Sequence, residues 1–388
     1  NFLYVTDFVN MSLQKLDLDK GTPLGRLGNA SNLCPTSGSG WNQSANRYVN
    51  GYCAHNFNYP QGVHVDRDHN IYVADADNSR IVRYSAAGTF TGWLGLDTDD
   101  TWQTGNFKSG GDLVAAGAEN DPRMFRTPYS IATDPDDPSA TYLYTVDYSS
   151  KRISRRNRLT GSYAGFIGNG KNAWDTTTLS QTPSYGFSAG YFGNGSIGPR
   201  GLQIKNGKMY VADEGNQRVV RIDVATGNFE GWLGDGHDDW QPMATPPSQT
   251  LSSNVKYFRY PSDVATDGKY LFIADRENNR IVKWRIDGAN CDKPVTAGKF
   301  CGWIGHGRVG WETTAPAPAS DPYQGVSYYP PDYYAQPHAL ALVNSIQKGT
   351  RNNYLFMTSV YNGRVSRINL SCVDNPSGPD CDSIYPFP

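Results

Sequence analysis

Residues 71–84 read Ile71-Tyr-Val-Ala-Asp-Ala-Asp-Asn-Ser-Arg-Ile-Val-Arg-Tyr84: a short apolar run ending in Asp, then Arg five residues on, then a second apolar run. The same order returns along the chain. Leu143-Tyr-Thr-Val-Asp147 leads to Arg152, Met209-Tyr-Val-Ala-Asp213 to Arg218, and Leu271-Phe-Ile-Ala-Asp275 to Arg280. Leu355-Phe-Met-Thr-Ser359 leads to Arg364 with Ser replacing Asp. Leu3-Tyr-Val-Thr-Asp7 matches the first half, but Ser12 stands where Arg is expected. Self-similarity at a fixed period of this kind signals a repeat architecture.

Each copy sits in a longer unit. A Pro comes first (Pro60, Pro128, Pro199, Pro261, Pro337), followed by a short strand such as Gly62-Val-His-Val-Asp66. The strand ending at Asp, a tight turn and the strand opening at Arg follow. A last strand closes on Gly-aromatic-aliphatic-Gly, as in Gly92-Trp-Leu-Gly95, Gly165-Phe-Ile-Gly168, Gly231-Trp-Leu-Gly234 and Gly302-Trp-Ile-Gly305. Four short antiparallel strands repeated radially make an all-β, six-bladed β-propeller. A blade covered by neighbours on both faces needs strands that are apolar almost throughout, as these are.

The signature Tyr-Val-Ala-Asp-x-x-Asn-x-Arg, at Tyr72–Arg80 and Tyr210–Arg218 and nearly so at Phe272–Arg280, resembles the NHL repeat family. The resemblance implies six blades and leaves activity open, because this fold carries enzymes and binding modules alike. The first unit lacks its Pro-led strand and the sixth lacks a closing strand after Leu370, so the first and last blades are expected to be incomplete. We therefore divide the chain into a propeller, 1–370, and a C-terminal tail, 371–388, with a disulfide loop and a possible closing strand at Ile384-Tyr-Pro-Phe387. An unpaired edge would let the chain accept or donate a strand in an assembly.

Composition agrees with sheet and turn: 25 Tyr, 15 Phe and 9 Trp stand beside 41 Gly and 24 Pro in 388 residues. With 35 basic and 37 acidic side chains there is no basic stripe for nucleic acid, and no stretch is long and apolar enough to span a membrane. Six cysteines fall as three local pairs, Cys34 with Cys53, Cys291 with Cys301, and Cys372 with Cys381. An even count in Gly- and Asn-rich loops favours disulfides, hence a secreted or cell-surface protein.

The repeating unit is about 62 to 84 residues long, more than an economical blade needs. The excess lies between the last strand of one unit and the first of the next: 29–59, 96–127, 169–198, 235–260 and 306–336. Sharing one topological position, these inserts are expected to emerge on one face, the arrangement of a binding face. They are rich in aromatic residues. Trp102, Trp174, Trp240 and Trp311 recur at similar places, with Trp41 in the first insert, and Tyr323, Tyr328, Tyr329, Tyr333 and Tyr334 crowd the last. Such rings could stack on sugars or anchor a protein. For the regular tryptophans, folding the loop back onto its blade is the stronger reading; the irregular tyrosines are the better ligand candidates.

Asp97, Asp99 and Asp100, and Asp235, Asp238 and Asp239, could offer oxygens to calcium, although solvated turn carboxylates explain them as well. No other cofactor is expected. Asp75, Asp147, Asp213 and Asp275 with their arginines read as turn fixtures rather than a catalytic array. Peptidylglycine amidating lyases are similar locally, at Pro337-His338 and at Ala274-Asp-Arg-Glu-Asn278, and that resemblance implies a zinc held by three histidines from three blades. Here Gln61, Tyr129, Arg200 and Ser262 follow the Pro elsewhere, and one histidine cannot hold a structured zinc site. His64, on a first strand, could face a channel, but a satisfied core role is commoner. The sequence thus points to a non-enzymatic extracellular propeller that binds a protein, a glycan or a second copy through its inserts. The alternative is a metal-dependent lyase or hydrolase.

Overall fold

The computed structural model describes residues 2–28, 40–41, 56–95, 101–105, 120–178, 180, 182–245, 252–292, 298–306, 310–314, 334–347, 350–361, 363–374 and 385–386. The fold is a six-bladed β-propeller, with six separate antiparallel sheets formed by strands consecutive in the chain. The chain groups into two compact units, residues 1–200 with the turn 225–228, and residues 201–224 with 229–387.

The first unit holds three blades. Blade 1 has β1 (Phe2–Asp7), β2 (Ser12–Asp17) and β3 (Pro23–Leu27); blade 2 has β4 (Pro60–Val65), β5 (Ile71–Asp75), β6 (Arg80–Tyr84) and β7 (Phe90–Leu94). Blade 3 has β8 (Pro128–Thr133), β9 (Tyr142–Asp147), β10 (Arg152–Asn157), β11 (Tyr163–Gly168) and a fifth strand, β12 (Lys171–Asp175). In the second unit, blade 4 has β13 (Leu202–Lys205), β14 (Lys208–Asp213), β15 (Arg218–Asp223) and β16 (Phe229–Leu233). Blade 5 has β17 (Pro261–Thr266), β18 (Tyr270–Asp275), β19 (Arg280–Arg285) and β20 (Phe300–Gly305). Blade 6 has β21 (Pro337–Gln347), β22 (Thr350–Ser359), β23 (Arg364–Asn369) and the two-residue β24 (Tyr385–Pro386).

Four strands per blade is therefore not uniform. Among the described residues blade 1 has three strands, and blade 6 has three strands plus β24, which pairs with Ser366 and Arg367. Blade 3 gains a fifth strand because the start of its insert runs back along β11. A short helix, α1 (Leu370–Asp374), follows β23; nothing in the repeat pattern announced it.

The core lies between successive blades. Along β5, Ile71 and Val73 join Leu13, Leu27 and Phe57 on one face, while Tyr72 and Ala74 join Phe125, Ile131 and Leu143 on the other. Alternate residues of a strand point to opposite faces, so a strand buried on both sides must be apolar at every position. In the second unit Ile273 faces the blade 4 side with Tyr210 and Leu233, whereas Phe272 faces Leu355 and Met357 of blade 6.

The closing Gly has a steric cause. Gly95 has φ +156°, and a Cβ there would lie 2.9 Å from Arg80 Cα. Only glycine fits where the fourth strand ends against the start of the third.

Candidate functional site

The repeated Asp, Asn and Arg form a clamp. The second strand delivers Asp75, Asp213 and Asp275 to a single 3-10 turn (Ala76–Asn78, Glu214–Asn216, Arg276–Asn278), and a left-handed residue, Ser79, Gln217 or Asn279, turns the chain into the third strand. In blade 5, Asp275 Oδ2 accepts from Arg280 Nε at 2.7 Å and Asn278 Nδ2 at 2.9 Å, and Oδ1 accepts the Arg259 N–H at 2.6 Å. The far end of Arg280 donates to Ser253, Asn254 and Tyr257 carbonyls of the incoming insert. Blade 2 repeats the arrangement, with Asp75 on Arg80, Asn78 and the Asn58 N–H, and Arg80 on Asn56 O.

Asp213 likewise holds Arg218 at 2.8 Å and Asn216 at 2.8 Å. In blade 3 Ser150 replaces the Asn; Asp147 accepts the N–H groups of Arg126, Thr127 and Ser150, and Arg152 donates to Asp121 O and Met124 O. These carboxylates and guanidiniums are fully buried. Burial pushes the Asp75 and Asp275 carboxyls upward, and the arginine beside each opposes it. In blades 2, 3 and 5 the clamp fixes the insert's end to its blade, so these residues are structural.

The recurring tryptophans have an equally regular setting. Trp102 lies between Tyr72, 5.9 Å away ring to ring, and the Arg83 guanidinium, 4.1 Å from the ring centroid. Trp174 sits with Tyr144 and Arg155, Trp240 with Tyr210 and Arg221, Trp311 with Phe272 and Lys283, and Trp41 with Tyr4 and Lys15. In every case the aromatic and the cation are direct cross-strand partners: Tyr4↔Lys15, Tyr72↔Arg83, Tyr144↔Arg155, Tyr210↔Arg221 and Phe272↔Lys283.

The residue after Trp102, Trp240 and Trp311 then bridges back to the fourth strand, Gln103 to Trp93, Gln241 to Trp232 and Glu312 to Trp303; Asp175, after Trp174, pairs with Phe166 in blade 3. The first Gly of the closing motif makes room for this return: a Cβ on Gly92 would lie 3.3 Å from Trp102 Cβ, and one on Gly302 3.0 Å from Trp311 Cβ. Trp102 also ties blade 2 to blade 3, its Nε1 donating to Arg158 O at 3.0 Å and its N–H to Thr160 O. The half-buried Trp102, Trp240 and Trp311, offered as ligand rings, are thus engaged in packing. The cation was the residue the sequence reading missed, although Arg80-Ile-Val-Arg83 and Arg280-Ile-Val-Lys283 carry it at a constant place.

Of the tyrosine cluster, Tyr323, Tyr328, Tyr329 and Tyr333 lie outside the described residues. Tyr334 corrects the expectation of a ligand-facing ring: it is fully buried among Leu355, Met357 and Ile304, where burial of a large ring outweighs display. Asp97, Asp99 and Asp100 also lie outside the described residues. Asp235, Asp238 and Asp239 do not converge. Asp238 meets Lys256 at 3.3 Å and accepts the Phe300 N–H, while Asp239 accepts the Trp240 N–H. Among the described residues no three His, Cys, Asp or Glu gather as a metal set.

Cys291 and Cys301 are bonded, with Cα atoms 5.4 Å apart. Cys34, Cys53 and Cys381, and the Cys372 side chain, lie outside the described residues. His64 lies half-buried on β4, its Nε2 2.9 Å from Thr133 Oγ1; burial lowers its pKa to about 4, with Asp66 opposing. His338 lies half-buried on β21. Among the described residues no helix is long and apolar enough to cross a membrane.

The NHL repeat family model matches residues 57–84, which run from the end of the first insert to the end of β6. No curated protein matches the chain in sequence. Among solved structures the chain is similar to virginiamycin B lyase from Staphylococcus aureus, at 12% identity and a TM-score of 0.37, covering 84% of this chain and 69% of that one. A streptogramin B lyase aligns at 10% identity and a TM-score of 0.43 over 95% and 90% of the two chains. A functionally unknown protein from Desulfotomaculum acetoxidans aligns at 9% and 0.45 over 96% and 93%. Overlaps this loose carry no argument about activity.

Proposed function

From an NHL-repeat match within a six-bladed propeller, we propose that this chain is an extracellular, non-enzymatic binding or assembly module that engages a protein, a glycan or a second copy through its inserts. One observation carries the reading. The repeated polar and aromatic residues (Asp, Asn, Arg, Trp and the strand cation) serve to hold blades and insert ends. The enlarged, non-repeating remainder of the inserts is left as the part free to differ in chemistry. The Cys291–Cys301 bond supports an oxidising compartment.

The test is a quadruple variant, Tyr323, Tyr328, Tyr329 and Tyr333 each replaced by Ser, compared with the parent chain on a glycan array and by solution mass. The expected result is an unchanged thermal midpoint with glycan binding, or self-association, weakened about tenfold or more, the size of effect reached when several aromatic anchors are lost. Equal behaviour of the two proteins overturns the assignment to this insert. Stoichiometric zinc or calcium in the purified protein, with an activity abolished by His338→Ala, favours a metal-dependent lyase or hydrolase instead.

A further inference from the structure

Three Asn-Gly pairs lie among the described residues, at 169–170, 194–195 and 206–207, and the fold holds them very differently. In such a pair the glycine amide nitrogen meets little steric resistance on its way to the asparagine side-chain carbonyl carbon, because glycine carries no Cβ. The surroundings then decide which pair reacts.

Asn169 and Gly170 are locked. Asn169 is buried, its Nδ2 donates to Ser150 O at 3.0 Å, and its Oδ1 accepts the Ser184 N–H at 2.9 Å. The Gly170 N–H donates to Gly190 O at 2.8 Å. Asn206 and Gly207 form the exposed two-residue turn between β13 and β14, with φ of +53° and +68°, a geometry that Asn-Gly adopts readily. Behind that turn the ladder runs from Lys205↔Lys208 to Leu202↔Val211, and Gly207 O accepts the Val224 N–H.

Asn194 and Gly195 have no such support. Asn194, Gly195 and Ser196 are all exposed. Asn194 and Ile197 exchange backbone bonds at 2.9 and 3.0 Å, but this is an isolated bridge outside the named strands. Among the described residues the Gly195 N–H makes no backbone hydrogen bond. A Cβ on Gly195 would meet nothing within 4 Å, so the peptide plane has room to turn.

We propose that Asn194 is a site of spontaneous conversion to aspartate and isoaspartate, selected by the fold. The Gly195 amide nitrogen attacks Asn194 Cγ. The N–Cγ bond forms, the Cγ–Nδ2 bond breaks, and Nδ2 leaves as ammonia with the proton from the Gly195 N–H. Water then opens the five-membered imide at either carbonyl, giving aspartate or its β-linked isomer without oxidant or reductant. Either product replaces a neutral amide by a carboxylate within the insert 169–198, and the β-linked one also lengthens the backbone at the turn. Chemistry at this turn is independent of what the inserts bind.

The test holds the purified chain in mildly alkaline buffer. Peptide mapping follows the amide-to-acid mass gain at each pair, and isoaspartyl methyltransferase labelling identifies the β-linked product. Conversion at Asn194 should run at least about tenfold faster than at Asn169, and ahead of Asn206, a ratio well within the range of local opening free energies in a folded chain. In urea at the same pH the three rates should draw together to within a few-fold, because the reacting dipeptide is the same and only the fold separates them. No conversion at Asn194, Asn169 or Asn206 reacting first, or a ratio that persists in urea overturns the proposal.

Discussion

Blades 5 and 1 start from nearly the same words, Leu271-Phe-Ile-Ala-Asp275 and Leu3-Tyr-Val-Thr-Asp7. In blade 5 the Asp meets Asn278, Arg280 and the Arg259 N–H, and all of β18 is buried. In blade 1 the Arg is Ser12, β1 pairs among the described residues with β2 alone, and Asp7 holds Asn10 and Gln14. The two strands differ less in their own residues than in what arrives to meet them. A repeat signature states the capacity to form a clamp; the incoming segment completes it.

That contrast can be tested by substitution. Arg280→Ala should destabilise the protein by about 3–5 kcal/mol in urea denaturation, because it leaves the Asp275 carboxylate buried and unpaired. A cost below about 1 kcal/mol would reduce the clamp to an accessory.

The next handle is a first strand, an element for which the described residues of blade 1 hold no counterpart. His64 on β4 is held neutral, its pKa lowered to about 4 from an ordinary 6.5. A group with a depressed folded value takes up its proton first in the unfolded chain. Stability should therefore be full above pH 6.5 and fall as the pH drops from there toward 4, by roughly 2–3 kcal/mol. His64→Gln should remove that part of the slope when the two proteins are compared by thermal melting at several pH values.

Two smaller effects sharpen the comparison. Blade 1 keeps the cation beside the insert tryptophan, Lys15 Nζ lying 3.8 Å from the Phe2 ring centroid and 5.2 Å from that of Trp41. Lys15→Met should cost about 0.5–1 kcal/mol by chemical denaturation, an exposed cation–aromatic contribution. Ser12→Ala should be within about 0.5 kcal/mol of neutral, or slightly stabilising, because it deletes a hydroxyl that has no partner among the described residues. A large loss there would mean that the hydroxyl is already satisfied.

The blade framework was legible because its determinants are local. The second strand, its turn and the third strand lie within fifteen residues, so Asp75, Asn78 and Arg80 meet by following the chain. The candidate site was less so. Trp102 follows Arg83 at the same distance as Trp240 follows Arg221, yet in blade 5 the disulfide-closed turn between β19 and β20 pushes Trp311 farther from Lys283. Reading the cation and the Trp as partners needs the insert's return along the fourth strand, which no spacing announces. Tyr334 shows the opposite failure: it belongs by composition to a surface cluster and by packing to the core.

By itself the sequence determined the period, the strand order within a blade, and the glycines where strand ends crowd together. These follow from short-range geometry that any segment with those residues must obey. Only tertiary structure decided that the recurring tryptophans pack under strand cations, that Asp374 of α1 reaches Lys283 and Trp311 Nε1 at 2.6 and 2.9 Å, and that Asp235, Asp238 and Asp239 part company. Each of these joins residues far apart in the chain or depends on which neighbour takes up a charge. Such choices are made by burial and by competition for partners once the blades have packed.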